Sequence, residues 1–302
     1  MNIPNITAKD VALNWPEMVA ALRTGHLGAR PAIADQFLHR GDDVLLSRAA
    51  WVEGLGVAVK SVTVFPAQVP SVQGAMLLFN DKTGAVEAVI DSALITRWKT
   101  VADSLLGAQM LARPEAKRLL IIGAGAVAEG LIAAYPALFP DLEIEIWNRT
   151  MARAEALAAG KLHVRAVADL PEAVARADII STATMAKPPV LKGAWLRAGQ
   201  HLDLIGAFTA DMREADDLAL QRSRIFVDSV ATTVEHIGEM MIPLASGAIA
   251  RADILGDLYD LAQGAAGRVE ADDITLFKNG GGAHLDLMVG RVILAAYHAQ
   301  SA

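Results

Sequence analysis

The chain of 302 residues contains no cysteine, so no disulfide framework organises it and nothing ties it to an oxidising compartment. Aromatic residues are scarce, at 5%. Long uninterrupted apolar runs are missing as well: the run beginning at Leu119 is broken by Glu129, which argues against a membrane span. No cluster of Lys and Arg marks a basic face, and the formal net charge is -7 with a pI near 5.5. Nucleic acid and membrane surfaces are therefore excluded as expected partners, and an anionic substrate has to be held by a few local cations. The first residues, MNIPNITAKD, lack the basic and apolar regions of a secretory signal, so the expected location is cytoplasmic. What the chain does have is Ala, Val, Leu and Ile, the bulk of its 53% hydrophobic content, with mean hydropathy +0.35. That composition suits helix-on-sheet packing and apolar subunit contacts, and a homo-oligomer is expected.

The rhythm of elements changes once, near residue 115. Before it come short β-rich runs, Val44 to Leu46, Gly56 to Phe65, Ala75 to Phe79 and Val86 to Ile90, with a turn at Asp81-Lys82-Thr83-Gly84. Such runs predict an antiparallel or mixed sheet. A helix over Ser92 to Leu111 ends at Arg113-Pro114. From Arg118 onward strands and helices alternate, through RLLIIG, EIEIWN, His163 to Val167, Asp178 to Thr182, HLDLIG and RIFVDS, which predicts a parallel doubly wound sheet. The fold class is thus α/β: a Rossmann-type doubly wound parallel sheet plus a second, α+β domain. After Asp272 the chain reads as a glycine-rich turn and a terminal helix, expected to return to the first domain.

Gly123-Ala124-Gly125 lies between the apolar strand Leu119 to Ile122 and the helical run Val127 to Leu138, giving GAGAVA with Ala128 as its third small residue. The small residues allow a tight turn, passage of a pyrophosphate and close packing of helix on strand. The helix N-terminus at Ala126 and Val127 then offers amide donors and the positive end of its dipole. The second strand ends in Trp147-Asn148-Arg149-Thr150, without the acidic residue that binds the ribose hydroxyl in NAD enzymes. Arg149 suits a 2'-phosphate, Asn148 offers neutral donors, and Thr150 is placed to cap the next helix. NADP(H) is the preferred cofactor, with NAD(H) as the alternative.

Taken in order, GVAVKSVTVFP, ALITRWKTVADS, GAGAVA, IGAFTADMRE and TLFKNGGG resemble motifs of the ornithine cyclodeaminase/μ-crystallin family over almost the whole chain. The resemblance implies a homodimer in which residues 1–114, joined by the C-terminal helix 280–302, bind substrate and dimerise, while residues 115–279 form the dinucleotide-binding domain. It places Lys60 on the lysine that contacts the substrate carboxylate; independently, Lys60 is a lone cation in an apolar strand and needs an anion if buried. Lys99 stands where the family usually has arginine, so the charge is kept and the bidentate fork is lost. The family's upstream arginine has no counterpart around Pro31 to Leu38, and Arg48, read as ending an apolar strand, is proposed in its place on chemical grounds. Ser71 matches a hydroxyl near the cofactor. Lys278-Asn279-Gly280-Gly281 matches the segment beneath nicotinamide and substrate, with Asn279 toward the cofactor and Gly280 toward the substrate. Thr182, Ala183 and Gly206, at the ends of later strands, complete the cofactor set.

Phe208, also assigned to the cofactor side, occupies the position where cyclodeaminases of the family carry a catalytic aspartate. Phenylalanine moves no proton, which disfavours cyclodeamination and favours simple reduction of a preformed imine. The expected function is NADPH-dependent reduction of a small cyclic 2-imino acid, Δ1-pyrroline-2-carboxylate or Δ1-piperideine-2-carboxylate, to L-proline or L-pipecolate. Alternatives are ornithine cyclodeaminase, an alanine-type or imino-diacid dehydrogenase, and a μ-crystallin-like NADPH-binding protein without turnover. No side chain is identified as the proton donor. None of the 7 histidines has metal-ligand spacing, and no metal is implied.

Overall fold

The computed structural model describes residues 3–301; residues 1, 2 and 302 of the expected domain ranges lie outside the described residues. The chain divides into two compact units, Met1–Ala102 with Gly281–Ala302, and Asp103–Gly280.

The first unit opens with β1 (Asn5–Ile6) and α1 (Trp15–Gly25), then runs through β2 (Ala32–Arg40), β3 (Asp43–Val52), β4 (Gly56–Val64), β5 (Val72–Phe79) and β6 (Val86–Asp91) into α2 (Ser92–Leu111), within which the division between units falls. Asn14 caps α1 by accepting from Glu17 N at 2.9 Å, and Asp91 starts α2 by accepting from Ala93 N at 2.8 Å and Leu94 N at 3.0 Å. These bonds satisfy amides that a helix start otherwise leaves bare. The six strands form one mixed sheet in the order β1-β6-β5-β4-β3-β2, with only the β1–β6 pair parallel. Along β4 alternate residues Ala58, Lys60 and Val62 are buried, so the period of two turns a lysine into the covered face.

The second unit contains β7 (Arg118–Ile122), α3 (Ala126–Ala134), β8 (Glu143–Trp147), α4 (Met151–Ala158), β9 (Val164–Ala166), α5 (Leu170–Arg176), β10 (Ile179–Thr182) and β11 (His201–Leu204). It continues with α6 (Asp217–Gln221), β12 (Ser223–Val227), α7 (Val230–Thr233), α8 (Gly238–Ser246), β13 (Ile254–Asp257), α9 (Leu258–Ala262) and β14 (Ile274–Lys278). All eight strands are parallel, in the order β13-β12-β14-β11-β10-β7-β8-β9. From β7 the chain winds outward through β8 and β9, then returns to β10 on the other flank. The switch point between β7 and β10 is where such sheets leave a ligand crevice. β14 inserts between β11 and β12; its ITLFK run corrects the reading of this stretch as turn followed by helix.

The last element, α10 (Ala283–Ser301), closes the first unit by packing on α1, β3 and β4. Two glycines bring methionine tips close to the backbone: a Cβ on Gly25 would lie 2.6 Å from Met288 Sδ, and one on Gly290 would lie 2.4 Å from Met76 Cε. No helix among the described residues is long and apolar enough to cross a membrane.

Candidate active site

A cleft of about 350 Å³ opens at the carboxyl ends of β7, β8 and β10, lined by Gly123, Ala124, Gly125, Trp147 through Thr150, Arg153 and Ala183 through Ala186. Its floor depends on Gly123, whose φ of +122° favours glycine and whose missing Cβ would sit 2.4 Å from the Ala183 carbonyl oxygen. Gly125 has the opposite property. Beyond its chain neighbours, a Cβ there would meet nothing within 4 Å among the described residues, which leaves backbone open toward the cleft. Ala128 is fully buried, letting α3 sit close to the sheet. An open amide-rich turn at a helix start, beside a cationic rim, fits the pyrophosphate and ribose end of a dinucleotide.

At that rim the structure refines the expected residues. The Asn148 Nδ2 donates to the Thr150 carbonyl at 2.9 Å, so this amide braces the turn that presents Arg149. Thr150 occupies the N-cap position of α4 but makes no side-chain cap bond, which corrects the capping expectation; the backbone satisfies the turn instead, with Arg153 N donating to Thr150 O at 3.0 Å. Arg153 is a residue the sequence reading missed. It lies four positions after Arg149, one helical turn onward, and lines the same cleft.

Behind the cleft, one carboxylate ties two loops together. Glu214 accepts from Thr184 N and Oγ1, both at 2.7 Å, and from Gly206 N at 2.6 Å. Gly206 leaves no room for a side chain, since a Cβ would lie 2.0 Å from the Thr184 carbonyl oxygen. Glu239 in turn accepts from the Glu214 and Ala215 amides, and burial, with Glu214 adding to it, pushes its carboxyl up to about 7. Asn279 is buried after β14 and donates through Nδ2 to Ser104 Oγ at 3.0 Å, while Ser104 donates to Asp203. Burial pushes Asp203 up to about 6 against the hydroxyl bonds from Ser181 and Ser104. Thr182 is buried at the end of β10, and its hydroxyl has no hydrogen-bond partner among the described residues.

The cations predicted for substrate converge within the first unit. Arg48, Lys60 and Met76 lie side by side across β3, β4 and β5, with Asp35 opposite Arg48 on β2. Like charges directly opposite each other destabilise a sheet unless anions compensate. Two do. Asp35 takes the Arg48 guanidinium at 3.3 and 2.5 Å, and Asp286, on the first turn of α10, accepts at Oδ1 from Lys60 Nζ at 2.7 Å and pairs with Lys99 Nζ at 2.8 Å. The Gly281 carbonyl accepts from Arg48 at 2.7 Å and from Lys99 at 2.8 Å. Three basic side chains and two carboxylates thus share this cluster.

Burial draws Lys99 down to about 7, Asp286 opposing and Lys60 and Arg48 reinforcing the fall. Burial alone would raise Asp286, yet Lys60, Lys99 and Arg48 hold it at about 2. The anion that a buried Lys60 requires is therefore Asp286, whose only trace in the sequence is a lone acid in an apolar helix.

Other assignments come out differently. Arg48 lies in the middle of β3 and not at its end, and Asp35 and Gly281 occupy donors of its fork. Gly280 is small for an internal reason: a Cβ would fall 2.1 Å from Thr233 Oγ1 and 2.9 Å from Asp228 Oδ1. Ser71 is exposed in the first unit, on the connection between β4 and β5, and its carbonyl accepts from Phe65 N at 2.7 Å. Phe208 is exposed, four residues beyond the end of β11. Neither these residues nor Ala126, Val127, Thr182, Gly206 and Asn279 line the cleft, which gathers Gly123, Gly125, Asn148, Arg149, Thr150 and Ala183 from the expected set.

The chain matches the profile of the ornithine cyclodeaminase/mu-crystallin family over residues 49–300. It is 52% identical over 291 residues to the Delta(1)-pyrroline-2-carboxylate reductase of Paracoccus denitrificans, covering 93% of this chain and 92% of the relative. The ketimine reductase mu-crystallin of Mus musculus is 34% identical, covering 74% and 70% of the two chains. Among solved structures, Thermococcus litoralis Delta(1)-pyrroline-2-carboxylate reductase in complex with NADH and L-proline superposes with a TM-score of 0.90 at 26% identity, covering 99% and 98%.

Proposed function

Because the chain belongs to the ornithine cyclodeaminase/mu-crystallin family, we propose that it reduces a small cyclic 2-imino acid, Δ1-pyrroline-2-carboxylate first and its six-membered homologue second, to L-proline or L-pipecolate, with NADPH as the preferred donor. Nicotinamide-dependent oxidoreduction of an imino acid is the activity class. The observation that carries the substrate assignment is the 52% identity, along nearly the full length of both chains, to a pyrroline-2-carboxylate reductase. The convergence of Arg48, Lys60 and Lys99 supports it, since a cluster of basic side chains suits a substrate carboxylate.

A bound reduced nicotinamide supplies the hydride. This chain's own residues supply orientation and charge: Lys60 and Lys99 hold the carboxylate, while Arg48, already engaged by Asp35, adds field and fixes Gly281. Fixing a preformed imine against a hydride donor accounts for much of the acceleration such a reaction needs. Phe208 in place of an aspartate argues against ornithine cyclodeamination, which has an amine to deprotonate and ammonia to expel. The preference for NADPH rests on Arg149 and Arg153 at the rim of the cleft. A homodimer formed through the first unit, with that unit binding substrate, belongs to the same proposal.

The test is consumption of NADPH with Δ1-pyrroline-2-carboxylate, set against NADH and against ornithine with NAD. Rapid oxidation of NADPH with formation of L-proline is expected. Tight NADPH binding without turnover of any imino acid would refute the enzymatic reading and leave a binding protein.

A further inference from the structure

The carboxylate of Asp286 is engaged on one side only. Its Oδ1 meets both lysine ammoniums, whereas Oδ2 is buried and has no hydrogen-bond partner among the described residues. A bare ionised oxygen in a buried site forfeits its solvation without return, so a carboxylate serving merely as counter-ion is better turned to use both oxygens. The donors beside it are not exhausted: Lys60 spends one ammonium hydrogen on Asp286, and Lys99 spends one on Asp286 and one on the Gly281 carbonyl. Unused N–H donors and an unused carboxylate oxygen thus stand together. That pattern complements a molecule whose own carboxylate neighbours a cationic N–H.

Building on the imino-acid reading above, we infer that Asp286 Oδ2 accepts the N–H of the substrate iminium while the lysines hold its carboxylate, so that Asp286 keeps the substrate in its protonated, electrophilic form. The carboxylate for the substrate nitrogen, missing at Phe208, is supplied by α10. In the step itself hydride enters the carbon, the C=N π pair withdraws onto nitrogen as a lone pair, and the N–H remains on Asp286. No proton moves in that step, and the product amine gains its second proton from solvent. The lysines hold Asp286 ionised, at about 2, so it acts as acceptor throughout the neutral range.

Pyrrole-2-carboxylate and furan-2-carboxylate have nearly the same shape and differ in the ring atom next to the carboxyl-bearing carbon, an N–H donor in one and an oxygen acceptor in the other. Calorimetric titration of the NADPH-bound chain should show pyrrole-2-carboxylate binding about 10-fold or more tightly, the size expected of one hydrogen bond to a buried charge. In Asp286→Asn an oxygen remains for the lysines and an amide N–H faces the ring, so the two ligands should come within about threefold of each other. Equal affinities in the unaltered chain would overturn the inference whether or not the variant folds. Discrimination that persists in a folded Asp286→Asn would overturn it too. Failure of both carboxylates to bind, together with no imino-acid turnover, would bring down the parent reading as well, an outcome distinct from the other two.

Discussion

Arg149 and Arg153 are exposed at the mouth of the nucleotide cleft, four residues apart at the start of α4. A hydrogen bond to a charged group contributes about 1.5–3 kcal/mol when sheltered. At a solvated rim, screening reduces each guanidinium–phosphate contact to about 1 kcal/mol. Both together contribute about 2 kcal/mol, so Arg149→Ala with Arg153→Ala should lower kcat/KM for NADPH about 30-fold, and each single change about fivefold. NADH, lacking the 2'-phosphate, should change by no more than about twofold. Initial rates with the cyclic imino acid saturating and each cofactor varied decide the matter, and the NADPH effect should shrink as salt is raised. Equal losses with NADPH and NADH would show that these arginines act on the fold of the turn, refuting the assignment of the phosphate to them.

Three further outcomes follow from the geometry. Gly125→Ala, whose Cβ meets nothing within 4 Å among the described residues beyond its chain neighbours, should leave the melting temperature unchanged and weaken NADPH binding measured by nucleotide fluorescence, whereas Gly123→Ala, driven against the Ala183 carbonyl at positive φ, should lose both; a Gly125→Ala protein with normal NADPH affinity would place the pyrophosphate elsewhere. Lys60→Met leaves Asp286 paired with Lys99 at 2.8 Å, so KM for the imino acid should rise by about 100-fold, the worth of a sheltered charged contact, while the NADPH dissociation constant stays fixed; an unchanged KM would remove Lys60 from the substrate site. Lys99, drawn down to about 7, is largely neutral above that pH in the folded chain and charged when unfolded, so its contribution to stability rises with pH between about 7 and its ordinary value. A carboxylate ligand restores the charge. Calorimetry at pH 8 in buffers of different ionisation enthalpy should therefore register proton uptake on binding of a carboxylate, and none would mean Lys99 is charged before the ligand arrives.

Features decided by neighbouring residues could be read from the chain alone. The glycine turn announces itself because only small residues fit its backbone path, and α2 is stopped where the sequence reads Arg113-Pro114, just after its observed end at Leu111. The alternation of strand and helix after Arg118 foretells a parallel sheet because parallel neighbours need crossover helices. The need of Lys60 for an anion was also legible, from the cost of burying charge in an apolar strand.

Which anion answers it was not. Asp286 is 226 positions from Lys60, and only the packing of α10 on β3 and β4 brings the two together. Arg153 escaped notice for a subtler reason: at the sequence level it is one more charge on a helix, and only the turn braced by Asn148 sets it beside the same cleft as Arg149. β14 was missed because the short ITLFK run before the glycines is too brief to carry a period, and its place between β11 and β12 is a matter of sheet order. Local stereochemistry and the period of apolar residues determined the elements and the nucleotide turn. Charge compensation in the substrate cluster, a balance struck between β2, β3, β4, α2 and α10, was decided by the tertiary fold, because burial sets the cost of each charge and only long-range contacts supply its partner.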